Sequence, residues 1–162
     1  MEQKNISFFY LEYDSLDELS PSDRELLEHA KNVVDSAYAP YSQYKVGAAV
    51  RMGNGKIVTG SNQENMAFPS GLCAERVALF AATSANPGIA VQAIAITAKS
   101  LQFPVEKPVT PCGSCRQALI EYEMLNREKI RIILMGETGK VLTIEGMDAL
   151  LPLSFKEEGL MK

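Results

Sequence analysis

The sequence predicts an α/β fold: a mixed sheet of roughly five strands with helices over both faces, a three-layer α-β-α arrangement. Three observations carry this expectation. Helix-like and strand-like patterns alternate through the middle of the chain, which favours a sheet clothed by the helices that connect its strands. The stretch from Ala74 to about Ala85 is largely apolar, as a helix buried against a sheet must be. At 162 residues the chain is long enough to bury a core without staples.

The elements follow in order. Residues 1–20 read as an N-terminal extension, with a possible strand in the aromatic-rich run Ile6–Tyr13, and residues 21–162 as the domain proper. Ser20 or Ser22 caps a first helix, Pro21 suits its first turn, and Leu26, Leu27, Ala30, Val33 and Val34 keep helical spacing to about Ala37. An irregular, tyrosine-bearing loop leads to a strand at Val46–Met52. Gly53-Asn54-Gly55 signals a tight turn, and the chain returns as a strand from Lys56 to Gly60. Ser61–Leu72 reads as a loop, Ala74–Ala85 as a helix, Val91–Ala98 as a strand and Cys112 to about Leu125 as a helix. Strands at Ile130–Met135 and Val141–Ile144 follow, then a short helix at Gly146–Leu151.

Composition narrows the function classes. A net charge of −4 and the absence of any lysine/arginine run argue against a nucleic-acid binder. No apolar run approaches the ~20 residues a membrane helix needs. The first five residues lack the pattern of a secretory leader, so a cytoplasmic location is expected. Three cysteines make a poor disulfide framework and read better as metal ligands in a reducing compartment.

All three thiols lie in two short segments, Cys73-Ala74-Glu75-Arg76 and Pro111-Cys112-Gly113-Ser114-Cys115-Arg116. Cys73 opens one helix, and Cys112 and Cys115 share the first turn of another, where residues three apart lie on one face. Helix N-termini favour thiolate over thiol. Three sulfurs with no fourth protein ligand describe an open zinc site, and Glu75 beside it describes a general acid/base. Three thiolates on Zn²⁺ leave one excess negative charge, which makes a bound water harder to ionise; Arg76, one turn from Cys73, is favoured over Arg116 to offset it. His29, the only histidine, stands far from these segments in sequence and reads as an ordinary surface or boundary residue.

These motifs resemble the small, homotetrameric class of zinc-dependent cytidine deaminases. Ala39-Pro40-Tyr41-Ser42, Val46-Gly47-Ala48-Ala49, Asn62-x-Glu64-Asn65 and Leu150-Leu151-Pro152 with Phe155 extend the resemblance over roughly residues 22–157. It implies one zinc per chain on Cys73, Cys112 and Cys115, a proton shuttle at Glu75, and a ribose contact at Asn62 and Glu64. It places Ala74 and Tyr44 against the substrate, Tyr44 standing where a phenylalanine is usual. It implies that Phe68, where a tyrosine is common, and Phe155 reach across subunit boundaries of a homotetramer. The implied activity is hydrolytic deamination of cytidine and 2′-deoxycytidine to the uridine products in pyrimidine salvage. Competing readings are a deaminase of another cytosine nucleoside such as blasticidin S, a structural zinc module, and a thiol redox protein built on Cys112-x-x-Cys115. The redox reading leaves Cys73 and Glu75 without a purpose, and a structural site would want a fourth protein ligand.

Overall fold

Alternation along the strands sorts the core into two slabs. In the computed structural model, which describes residues 1–160, the elements are β1 (Tyr10–Tyr13), α1 (Pro21–Val33), β2 (Tyr44–Met52), β3 (Ile57–Ser61), α2 (Ala74–Ala85), β4 (Val91–Ser100), α3 (Gly113–Asn126), β5 (Arg131–Met135) and β6 (Val141–Glu145). They form one sheet in the order β1-β6-β5-β4-β2-β3. The β4–β5 pair is parallel, because α3 carries the chain back to the starting edge between them; the other four pairs are antiparallel. The strand residues Val50, Met52, Ile94, Ile96, Ile132 and Leu134 pack under α2 and α3. Their alternates Ala49, Ala93, Ala95 and Ile133 pack under α1. The α-β-α layering and the mixed sheet are those expected.

Strand number is the difference. The sheet has six strands rather than about five, and the sixth is β1, from the segment read as an extension. Tyr10–Tyr13 pairs antiparallel with β6, from Tyr10↔Ile144 to Tyr13↔Val141. Without β1 the outer edge of β6 would leave N–H and C=O groups unpaired, and an aromatic run suits a pleated surface.

Local chemistry sets the helix boundaries. The Ser20 hydroxyl accepts the Asp23 N–H at 3.2 Å, with Pro21 in the first turn of α1. Beyond Val33 the helical pattern tightens into a 3₁₀ turn at Val34–Ser36. The final short helix reduces to a 3₁₀ turn, Met147–Ala149. The buried Glu123 carboxylate near the end of α3 accepts the N–H groups of Ile130 (2.8 Å) and Met147 (2.9 Å), fixing α3 to the start of β5 and to this turn.

Two glycines let the helices approach the sheet. A Cβ on Gly47 would lie 2.2 Å from the Ala30 carbonyl oxygen of α1. One on Gly60 would lie 2.4 Å from the Ala78 nitrogen of α2. Both contacts are with backbone, so a side chain at Gly60 would push α2, and Cys73 with it, off the sheet.

Candidate metal centre and substrate pocket

α2 and α3 lie on the same face of the sheet, and their first residues meet. Cys73 and Cys112 hold the N-cap positions of the two helices, and neither side chain caps its own helix. A serine or aspartate there would bond the helix's free N–H groups; a cysteine leaves its sulfur free for another partner. Cys115 is buried in the first turn of α3. The Cys73 and Cys112 sulfurs are 3.8 Å apart, and those of Cys112 and Cys115 3.5 Å. All three lie within 4.8 Å of one another. Tetrahedral zinc with ~2.3 Å bonds to sulfur separates its ligands by about 3.8 Å, so the cluster fits that ion. Among the described residues it is the one group of three or more histidine, cysteine or acidic side chains that converges in this way. His29 is exposed on α1.

The electrostatics favour thiolate at Cys73. It is pulled down to about 5, foremost by a hydrogen bond from the Cys115 thiol, with Arg76 and Cys112 adding to it against the opposing effect of burial. The same bond, with burial, pushes Cys115 up. Arg76 Nη2 lies 3.8 Å from the Cys73 sulfur, and its buried Nε has no hydrogen-bond partner among the described residues. Arg116 turns the other way. Its Nε donates to the Pro111 carbonyl (2.7 Å) and its Nη1 to the Leu150 carbonyl (2.6 Å), so it braces backbone, and among the described residues it makes neither a sulfur contact nor an ion pair.

Glu75, 5% exposed, stands in the first turn of α2. Burial pushes its carboxyl up from the usual range, and the Cys73 charge adds to the shift. It opens onto a pocket of about 400 Å³ that also reaches the Cys73 and Cys112 sulfurs.

The far wall of the pocket carries Asn62, Glu64, Tyr44 and Phe68. Asn62 Oδ1 accepts the Val46 N–H at 2.8 Å, and its Nδ2 donates to the Tyr44 carbonyl at 3.0 Å. One amide proton and one lone pair remain for a ligand. Glu64 Oε2 accepts the N–H groups of Tyr41 (2.8 Å) and Ser42 (3.3 Å), and its Oε1 accepts the Ser42 hydroxyl. These bonds, led by the one from the hydroxyl, hold its carboxyl below the usual range. Tyr44 packs beside Phe103 at 6.1 Å between ring centres, and Phe68 meets Tyr41 edge-on at 5.8 Å.

Two residues named from the sequence stand apart from this wall. Ala74 is fully buried and forms no part of the lining. Phe155 is 71% exposed and lies outside the pocket, its carbonyl held by Gln117 Nε2 at 3.0 Å. Tyr41, named from the sequence only within the Ala39-Pro40-Tyr41-Ser42 motif, also lines the pocket, as do Val109 and Thr110, which no motif named. Val109 and Thr110 directly precede the Pro111-Cys112 segment, the one signal that could have found them.

The comparisons with known proteins agree with this geometry. Residues 20–128 match the cytidine and deoxycytidylate deaminase zinc-binding region. The chain is 36% identical over 139 residues to a cytidine deaminase of Halalkalibacterium halodurans, covering 85% of this chain and 98% of the relative. It is 40% identical over 99 residues to that of Sporosarcina psychrophila, covering 60% and 68%. The crystal structure of cytidine deaminase from Burkholderia pseudomallei superposes with a TM-score of 0.70 at 38% identity, covering 81% of this chain and 97% of that one. The Mycobacterium tuberculosis cytidine deaminase gives 0.64 at 30% identity, covering 82% and 96%. With three thiols converging at two helix starts beside a buried glutamate, the chain belongs to the zinc-binding cytidine and deoxycytidylate deaminase family.

Proposed function

We propose that the protein hydrolyses cytidine and 2′-deoxycytidine to uridine and 2′-deoxyuridine, releasing ammonia, with one zinc held by Cys73, Cys112 and Cys115. The observation that carries this is the buried Glu75 carboxyl opening onto the same pocket as the converging sulfurs. When bound, zinc supplies a water of lowered pKa. Glu75 accepts a proton from the attacking water and delivers it to ring N3, which makes C4 electrophilic. It then takes the proton of the hydroxyl added at C4 and passes it to the 4-amino group, which leaves as ammonia as the C4–N bond breaks and the C4 carbonyl forms. Burial supports both roles, since a carboxyl pushed upward takes and returns protons more evenly near neutral pH. Arg76, near Cys73, offsets the excess charge of three thiolates.

The pocket wall supports a nucleoside substrate. Tyr44 offers an aromatic face to the base, and Asn62 and Glu64 offer a donor and an acceptor to a sugar hydroxyl. Among the described lining residues there is no lysine or arginine, and two carboxylates face inward. A 5′-phosphate would meet negative charge with nothing to pair it. The exposed Phe155, which lies outside its own chain's pocket, is offered to a neighbouring subunit, whose site it completes in a homotetramer, while the exposed Phe68 stands in the wall of its own pocket. The enzyme then serves pyrimidine salvage in the cytoplasm.

Glu75→Gln keeps the carboxyl's shape and removes its proton transfer. It is expected to retain one zinc per chain by metal analysis while kcat for cytidine falls by about 10²–10⁴-fold; an unchanged kcat refutes the shuttle. Cytidine 5′-monophosphate is expected to give a kcat/KM at least about 10²-fold below that of cytidine, since like charge without a partner costs several kcal/mol. Equal values would place the phosphate outside the pocket. Light scattering during turnover should show a tetramer, and an active monomer would contradict the shared sites.

A further inference from the structure

The turn that leads into β2 joins two pocket residues, Tyr41 in the turn and Tyr44 at the first position of the strand, and holds an uncommon backbone. Gln43, at φ 55°, sits in the left-handed region, which a side-chain-bearing residue keeps only where its surroundings fix it. Ser42 is placed to do this. Its hydroxyl oxygen accepts the Tyr44 N–H at 3.0 Å, and its single proton goes to Glu64 Oε1. Glu64 in turn accepts the N–H groups of Tyr41 and Ser42, and the Tyr44 carbonyl accepts from Asn62. Tyr44 is therefore gripped at its N–H by Ser42 and at its C=O by Asn62, and Glu64 is joined to the same turn by three hydrogen bonds.

We propose that Ser42 is a positioning residue for substrate binding: its hydroxyl locks the Glu64 carboxylate to the turn leading into Tyr44, so that the sugar acceptor and the base-facing ring are set as one unit. This rests on the reading of Glu64 as a sugar contact. A carboxylate has about four lone-pair sites. Three are taken by Ser42 and the two backbone N–H groups, which leaves about one, enough for a single sugar hydroxyl and too few for a vicinal pair. Glu64 so placed reads one hydroxyl and tolerates the absence of its neighbour. Without the Ser42 bond the carboxylate keeps only its backbone partners on Oε2, and Oε1 is free to swing.

The test is steady-state kinetics on cytidine and 3′-deoxycytidine for the zinc-loaded wild type, Ser42→Ala, Ser42→Thr and Glu64→Ala. The readout is the ratio of KM for 3′-deoxycytidine to KM for cytidine. In the wild type it is expected to be about tenfold or more, the loss for one hydrogen bond to a charged group. Glu64→Ala should bring it near one. Ser42→Ala should lower it about tenfold by raising KM for cytidine alone, with kcat within about twofold, and Ser42→Thr, which keeps the hydroxyl, should restore it. A Ser42→Ala ratio equal to wild type, beside a collapsed ratio in Glu64→Ala, overturns the role of Ser42 and leaves that of Glu64 intact. A rise in KM of equal size on both nucleosides shows Ser42 to be only a fold support. A wild-type ratio near one overturns the sugar contact of Glu64 itself, and the role of Ser42 with it.

Discussion

Everything at the site depends on three sulfur atoms being held within 4.8 Å of one another by two separate helices. Thiolates at that distance repel, so the arrangement persists only if positive charge is brought to it. Two sources are built into the chain. The N-termini of α2 and α3, where Cys73 and Cys112 stand at the caps, bring the positive ends of two helix dipoles to the cluster, and Arg76 lies beside Cys73. The third source is the cation the cluster is shaped to take. The choice of cysteine at both N-caps is the local expression of this: each helix gives up a side-chain cap, and the freed sulfurs face one point.

The sheet turns that local chemistry into a site. α2 reaches its place because Gly60 lets its backbone come against β3, and α1 does the same over Gly47 on the opposite face. On α3, Arg116 hooks the Pro111 and Leu150 carbonyls together, so the segment entering Cys112 and the turn after β6 move as one. At the far wall polar groups do comparable work. Asn62 and Glu64 face the pocket, yet most of their hydrogen-bonding capacity goes to the β2 backbone and the turn before it. Binding and folding share the same atoms there, which gives the wall its rigidity before any ligand arrives.

Much of this was legible in the sequence because it rests on short-range patterns. Cys73-x-Glu75 and Cys112-x-x-Cys115 declare their geometry through helical spacing, and the Ala74–Ala85 helix has the bounds its apolar run and the Asn86-Pro87-Gly88 stop imply. What was not legible depends on partners distant in sequence. A strand in Ile6–Tyr13 was readable from its aromatic run, but its place in the sheet was not, because Tyr10–Tyr13 pairs with residues more than a hundred positions away. Val109 and Thr110 become pocket wall only when the loop after β4 is brought to the same pocket as Cys73, Glu75 and Asn62. The bracing bonds of Asn62 join positions sixteen and eighteen residues apart, which no local pattern marks. Phe155 has an exposed aromatic ring and no partner within the pocket of its own chain, so its reading rests on resemblance.

The most direct measurement follows ammonia release and the fall in ultraviolet absorbance on adding cytidine, before and after zinc is stripped by a chelator and then restored. The account predicts that turnover vanishes with the metal and returns as zinc is added back, reaching its full rate at one equivalent per chain. Sustained turnover of cytidine by protein that metal analysis shows to be free of zinc would contradict it.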